Sequence, residues 1–467
     1  MQNLKLKIFF LAIIFGWVFG VAEKSFGATI NAVSCSYNDV SSAITAASPE
    51  DTVVVPQGSC IWNSGLNITK GINLIGGLGG VTTITAATSF GDDFMIKYSP
   101  TTNNLQYNYA FRLSGFTIDA DNKAHGVVLG GQIDPPYVMQ DKVRVDHNII
   151  QNTLGYKGIW NFCNFYGVVD NNIITNADYP IKNDTQSSEV SWYSNAPQNI
   201  FISGTNNYLY FEDNTITYEG HPDGLALESQ FNGRYAARYN TIIAHGPSYS
   251  LFEAHGHQGE GSSGETMGST FGAEVYGNRV EAADYHMIFF KTRGGRSFIF
   301  YNSVATTYVL SNEAYDGLLT CPAIYAYEQM IHDTYWWQTR KDFTGSLAET
   351  AADHPLGVTC AGLANRPTLG RDVFSDSSSP GVGCGILENR PLTCIVGQGY
   401  WATNQSCADL TGMVGTNPAT PISGTLYKCT QENTWTAFYT PYVYPHPLRN
   451  ESSDTTPPSS PIGLMVE

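Results

Sequence analysis

Between residues 143 and 304, apolar side chains recur at two fixed distances from an asparagine. The segments VRVDHNII, VVDNNIIT, LYFEDNTI, AARYNTII, EVYGNRV and FIFYNSV carry Asn148, Asn172, Asn214, Asn240, Asn278 and Asn302. Three residues before the asparagine stand Val145, Val169, Phe211, Ala237, Val275 and Ile299; two after it stand Ile150, Ile174, Ile216, Ile242, Val280 and Val304. Inward positions on either side of a constant residue predict two short strands joined by a bend. Asparagine suits that bend because it tolerates left-handed backbone angles and bonds its neighbouring backbone. Stacked asparagines can also bond one another.

The asparagines are 24, 42, 26, 38 and 24 residues apart, a unit of about 24 with two insertions. That unit is too short for a β–α–β crossover and matches one coil of a parallel β-helix, in which each coil pairs with its neighbours. An antiparallel sandwich would not hold one asparagine in register over six copies. Upstream, YNDVSSAITAAS (37–48) places Val40, Ile44 and Ala47 at helical spacing behind an Asn/Asp cap, a short helix covering the open end. DTVVVPQGSCIWNSGLNITKGINLIGG then reads as short strands separated by glycine turns.

Three strands upstream of their asparagines draw together the ionisable residues. LALESQ (225–230), FEAHGH (252–257) and IFFKTR (288–293) alternate, with Leu225, Leu227, Phe252, Ala254, Ile288 and Phe290 facing inward. Aligned residue for residue, the outward columns are Ala226/Glu253/Phe289, Glu228/His255/Lys291 and Gln230/His257/Arg293. The expectation is an exposed patch of five ionisable groups on strands ~4.8 Å apart. A one-residue slip would bury Glu253 and His255 inward at a cost, which favours this frame. QGEGSSGETMGS (258–269) leaves the middle strand as a loop able to wall a groove, and Arg234, Arg238 and Arg296 lie in the same coils.

Composition narrows the class. A formal net charge of -17 argues against nucleic acid as a partner. Lys5 and Lys7 precede an apolar run from Ile8 to Ala22 with small residues after it. This reads as a signal peptide over 1–27, with an uncleaved anchor as the alternative, so the protein is expected to be secreted or at the cell surface, without stable membrane insertion. Nine cysteines follow; Cys35 and Cys60 bracket the first helix and strand, and no C-x-x-C pair points to zinc. Cys35 and Cys60 could therefore be stapled, but the pairing of the nine cysteines is open. The expected domains are a β-helix over 28–380, closing strands over 381–450 and a Pro/Ser-rich linker or tail over 451–467. The protein is expected to be a monomer.

The DTVVVPQGSCIW…ITKGINLIGG opening, the asparagine coils and the HG…RGG pair together resemble the pectate-lyase-like superfamily of right-handed parallel β-helices, over roughly residues 28–450. That resemblance implies an all-β solenoid and a polysaccharide partner, with chemistries that range over lyases, hydrolases, epimerases, tailspikes and adhesins. Its lyases use Lys or Arg, often with calcium.

A polysaccharide lyase acting on a uronate is the first reading, with Lys291 as base and Arg293 and Arg296 clamping the carboxylate. His255 or His257 would then donate the proton, and Glu228 and Glu253 would orient these groups or bind a cation such as Ca²⁺. Gln230, Arg234 and Arg238 are the further substrate contacts. A glycoside hydrolase using Glu228, Glu253 and Asp223 is the alternative, and a non-catalytic glycan-binding adhesin the third. A transition metal on Glu253, His255 and His257 ranks lower, for want of a distant third histidine. Asp146, Asp170 and Glu212 stack as like charges, which invites calcium or, preferably, relief by Arg144 and Arg238. Trp160, Trp336 and Trp337 either stack on sugars or pack in the core; Cys163 reads as a small core residue.

Overall fold

The computed structural model describes residues 27–450 apart from 92, 102–106, 131–139, 156, 163, 185–201, 219–224, 247–249, 257–268, 283–286, 316–329 and 354–366. The expected signal peptide, the 451–467 tail, His257, Asp223 and Cys163 lie outside the described residues.

The chain winds as a right-handed parallel β-helix. One ten-stranded parallel sheet runs from Leu66–Ile68 to Glu349–Asp353. A second, bent sheet of twenty strands supplies the other two faces of each coil, as in Phe165–Asp170 followed by Ile173–Thr175. The two apolar columns read from the sequence are in register: Val145 pairs with Val169 and Val169 with Phe211, while Ile150 pairs with Ile174 and Ile174 with Ile216. All of these lie in one continuous core.

The asparagines form a ladder at the bend. Nδ2 of Asn148, Asn172, Asn214, Asn240 and Asn278 donates to Oδ1 of the next asparagine at 3.1, 3.0, 3.0, 2.9 and 2.9 Å. The left-handed residue is not the asparagine but the one before it: His147, Asn171, Asp213, Tyr239, Gly277 and Tyr301 all have φ between 51 and 68°. The asparagine is there for its amide. It satisfies backbone groups that a coil bend would otherwise bury unpaired.

At the N-terminal end the helix Tyr37–Ala46 buries Val40, Ala43 and Ile44. Its cap is Ser36, whose hydroxyl accepts from Asp39 N at 3.2 Å, rather than the expected Asn/Asp. Cys35–Cys60 ties this helix to Thr52–Trp62, one uninterrupted strand where shorter runs were expected. At the other end Val382–Gly385, Gly399–Ala402, Thr425–Gln431 and Thr434–Tyr439 form a four-stranded mixed sheet, stapled by Cys384–Cys407 and Cys394–Cys429. Among the described residues no helix is long and apolar enough to cross a membrane.

Residues 442–449 then cross the outer surface of the bent sheet and close over its stacked acids. Arg144 pairs with Asp170 at 2.9 Å, Arg238 with Glu212 at 2.7 Å and Arg112 with Asp146 at 2.6 Å. Arg449 reaches Asp170 at 3.3 Å and Glu212 at 3.2 Å. Relief by arginine is therefore how the like charges are borne. Desolvation raises the Glu212 carboxyl, but Arg238 and Arg449 outweigh it and hold the pKa below its usual value.

Candidate functional site

The outward face of the ten-stranded sheet carries the ionisable residues. Its first outward column runs Trp160, Lys182, Glu228, Glu253, Lys291, Glu313 on consecutive strands. In the second, Asp184 pairs with Gln230. His255 and Arg293 continue it through His255 N→Ser229 O at 2.9 Å and Arg293 N→Ala254 O at 2.8 Å.

Glu228, Gln230, Glu253, His255, Lys291 and Arg293 are thus brought together, but in partnerships the residue-for-residue alignment did not give. Leu227, Phe252 and Phe290 share the inner column, two positions from the expected frame. Glu253, not His255, therefore stands between Glu228 and Lys291. The displaced strand is the middle one: Phe252 stands level with Leu227 and Phe290 rather than with Leu225 and Ile288, while the bulge between Ile288 and Phe290 lies in the pairing with the following strand. A two-residue shift preserves parity, so Glu228, Glu253, His255, Lys291 and Arg293 keep the outward face and change neighbours. Two of the expected outward residues, Ala226 and Phe289, lie in the core instead.

The expected exposure is also overturned. Glu228, Glu253, His255 and Lys291 are 5, 1, 6 and 2% exposed. Burial of Glu228, Glu253 and His255 is tolerated because each is paired. Arg293 Nη1 donates to Glu253 Oε1 at 3.0 Å and to His255 Nε2 at 3.0 Å. Because arginine only donates, Nε2 is the acceptor, and His255 Nδ1–H donates to Gly256 O at 2.8 Å. Desolvation pushes the His255 pKa down, so the ring is neutral. A neutral ring with that tautomer is a poor proton donor, contrary to the expected role.

The three remaining arginines serve elsewhere. Arg238 is committed to Glu212 and to Tyr442 O at 2.6 Å. Arg234 stacks on Tyr166 and bonds Asn207 O at 3.1 Å. Arg296 reaches Asp333 at 3.5 Å and lies over Phe438. All three sit on the bent sheet, where they fix loops and the C-terminal region, so the expected Arg293/Arg296 clamp does not assemble. Trp336 and Trp337, 1% exposed each, are packing residues.

Sequence reasoning missed Lys182 and Asp184. Lys182 Nζ lies 3.3 Å from Glu228 and 3.8 Å from Asp184, with 20% of its side chain exposed. Asp184 is fully buried; Trp160 Nε1 donates to its Oδ2 at 2.8 Å, while Oδ1 has no hydrogen-bond partner among the described residues. Desolvation raises its pKa to about 6, against the opposing pull of Lys182. Glu228 Oε1 accepts from Gln230 Nε2 at 2.5 Å. Since one ammonium contacts both carboxylates, their nearest oxygens are at most roughly 7 Å apart. The signal for this strand was the alternation IKND, obscured because Asn183 faces inward, where it donates to Ser229 Oγ at 3.2 Å.

No protein-family model matches the chain, and no curated protein does. Among solved structures the chain is similar to ORF18 of Geobacillus virus E2, with a TM-score of 0.38 and 11% identity over 86% of this chain and 72% of that one. A likeness this slight carries no argument.

Proposed function

We propose that the protein is an exported, carbohydrate-active β-helix enzyme of the pectate-lyase-like kind, and that the Asp184–Glu228 pair cleaves a polysaccharide by hydrolysis. Three disulfides and the N-terminal sequence support export. The observation that carries the chemistry is the buried Asp184 carboxyl, raised to about 6 and with an unpartnered oxygen, beside a second carboxylate on the same ammonium. Two acids in unlike surroundings divide the labour of glycoside cleavage. Asp184 gives its proton to the departing glycosidic oxygen. Glu228 attacks the anomeric carbon or takes a proton from the water that does.

Elimination is the second reading, favoured by the cluster of Lys291, Arg293 and His255 on adjacent strands. In it Lys291 takes the carbon-bound proton and Arg293 turns from Glu253 to the uronate. The test is incubation with a panel of neutral and acidic polysaccharides, following both reducing ends and the ultraviolet absorbance of unsaturated products. Hydrolysis gives new reducing ends without absorbance. Asp184→Asn and Glu228→Gln are expected to lower kcat by ~10²–10⁴. Full activity in both would remove the pair from the reaction; absorbance abolished by Lys291→Ala would establish elimination instead.

A further inference from the structure

The first coil carries a buried acid that no cation answers. Asp51, 8% exposed, sits between the N-terminal helix and the strand Thr52–Trp62. Its Oδ2 accepts from Ser48 N at 2.7 Å and its Oδ1 from Ala28 N at 2.6 Å. Among the described residues no lysine, arginine or histidine pairs with it. Ala28 is exposed and leads into the first strand: Thr52 N donates to its O at 2.8 Å, and Thr29–Asn31 then pairs with Thr52, Val53 and Val54. The carboxylate thus grips the chain at the residue that follows the expected signal peptide.

Ser25 and Gly27 stand three and one positions before Ala28, the small-residue pattern at which leader peptidases cut. Gly20 and Ala22 offer the same pattern before Glu23. Hydrolysis of the Gly27–Ala28 bond adds one water: Gly27 leaves with a carboxylate, and Ala28 keeps the nitrogen as an ammonium. That nitrogen is the one from which Asp51 already accepts, and charge on both partners roughly doubles the strength of such a bond. We propose that Asp51 is the receptor for the α-ammonium that leader cleavage creates at Ala28, and that this ion pair fastens the first strand to its coil. The cleavage rests on the reading of the protein as exported; the pairing of a chain that starts at Ala28 does not. Gly27 separates the two possible cuts. A Cβ on it would lie 2.0 Å from Glu50 O, so a chain that retains residue 27 must shift its backbone to accept any other side chain. A cut before Ala28 discards that constraint.

The first test expresses the whole chain in an exporting host and reads intact mass and N-terminal sequence. Ala28 is expected as the first residue, and Gly27→Ala should yield the same product with an unchanged melting temperature. A product starting at Glu23, with Gly27→Ala lowering its melting temperature, would overturn the proposal and leave export standing. A product still starting at Met1 would overturn both. The second test uses a chain made with Ala28 first, its α-amine free or acetylated at a pH where lysines stay protonated. The acetyl group takes the place of the Gly27 carbonyl, keeps the N–H and removes only the charge. Acetylation is expected to speed hydrogen exchange at Thr52 N–H about tenfold in the parent and to change nothing in Asp51→Asn. Equal exchange in the two parent forms would refute the ion pair, and that comparison stands by itself should Asp51→Asn fold poorly.

Discussion

Replacing Asn240 by alanine tests the architecture at its most repeated contact. Asn240 Nδ2 donates to Phe211 O and Asn278 Oδ1, each at 2.9 Å, and its Oδ1 accepts from Asn214 N and Nδ2, each at 3.0 Å. Alanine removes all four bonds. Asn214 Nδ2 keeps Val169 O at 2.9 Å, and Asn278 Oδ1 keeps Asn240 N at 3.0 Å, so those atoms remain satisfied. Asn214 N does not: it is left buried without the acceptor that the bend supplied. An orphaned buried donor costs ~1–3 kcal/mol, and the lost amide volume adds to it, so the expected destabilisation is about 2–4 kcal/mol. Thr430→Val is the control, because it breaks a hydrogen bond of equal length, 2.9 Å to Thr436, on an exposed strand where water substitutes. It should stay within ~0.5 kcal/mol. Urea unfolding followed by circular dichroism measures both. A loss below ~1 kcal/mol for Asn240→Ala would refute the claim that the ladder's value lies in satisfying buried backbone.

Three more outcomes are expected. His446 is buried with Nδ1 accepting from Leu448 N, and desolvation lowers its pKa from 6.5 to about 4, so the folded state resists a proton that the unfolded chain accepts. That group's stability is present above pH 6.5 and is lost as the pH falls toward 4, by about 3 kcal/mol in all; His446→Gln should flatten this part of the stability–pH curve, and an unchanged curve would contradict it. Arg293→Ala leaves Glu253 buried and unpaired, costing ~3–5 kcal/mol, and Glu253→Gln in the same chain should recover part of the loss in thermal unfolding. Removing the Cys35–Cys60 bridge, which spans 25 residues, should cost about 3 kcal/mol, read from the denaturation midpoint of a Cys35→Ala/Cys60→Ala double variant.

Fold and face were legible in the sequence because both depend on parity. The columns three before and two after Asn148 through Asn302 needed only period-two alternation and a fixed bend, and both are local. The pairing of Cys35 with Cys60 was only one option in the sequence, because the short helix and strand between them bring them near without excluding other partners. Partners were not legible, because pairing between coils depends on where each strand starts. Phe252 stands two residues further along both neighbouring strands than the aligned segments suggest, which moves His255 off Lys291 without moving either to the other face. Burial was also hidden. Alternation says that Glu228 and Lys291 point away from the core, but whether other chain segments cover that surface is a long-range fact.

The same distinction explains why Asp184 escaped notice while Lys291 drew it. In a parallel solenoid a functional side chain is announced by an outward position on an otherwise apolar alternation, and IFFKTR meets that description. IKND does not, because Asn183 occupies an inward site and is held there by Ser229 from the next coil. An inward polar residue can be tolerated only when the neighbouring coil answers it, so the strand becomes recognisable once the stack is known. The consequence for chemistry is direct. Outward residues read alone gave two lysine and arginine cations facing solvent and therefore an elimination site. Stacked correctly, Arg293 is held by Glu253, Lys182 is shared by Asp184 and Glu228, and within this row Asp184 keeps one oxygen unanswered among the described residues. The proposal of acid–base cleavage rests on this leftover valence of the assembled ladder rather than on the inventory of charges.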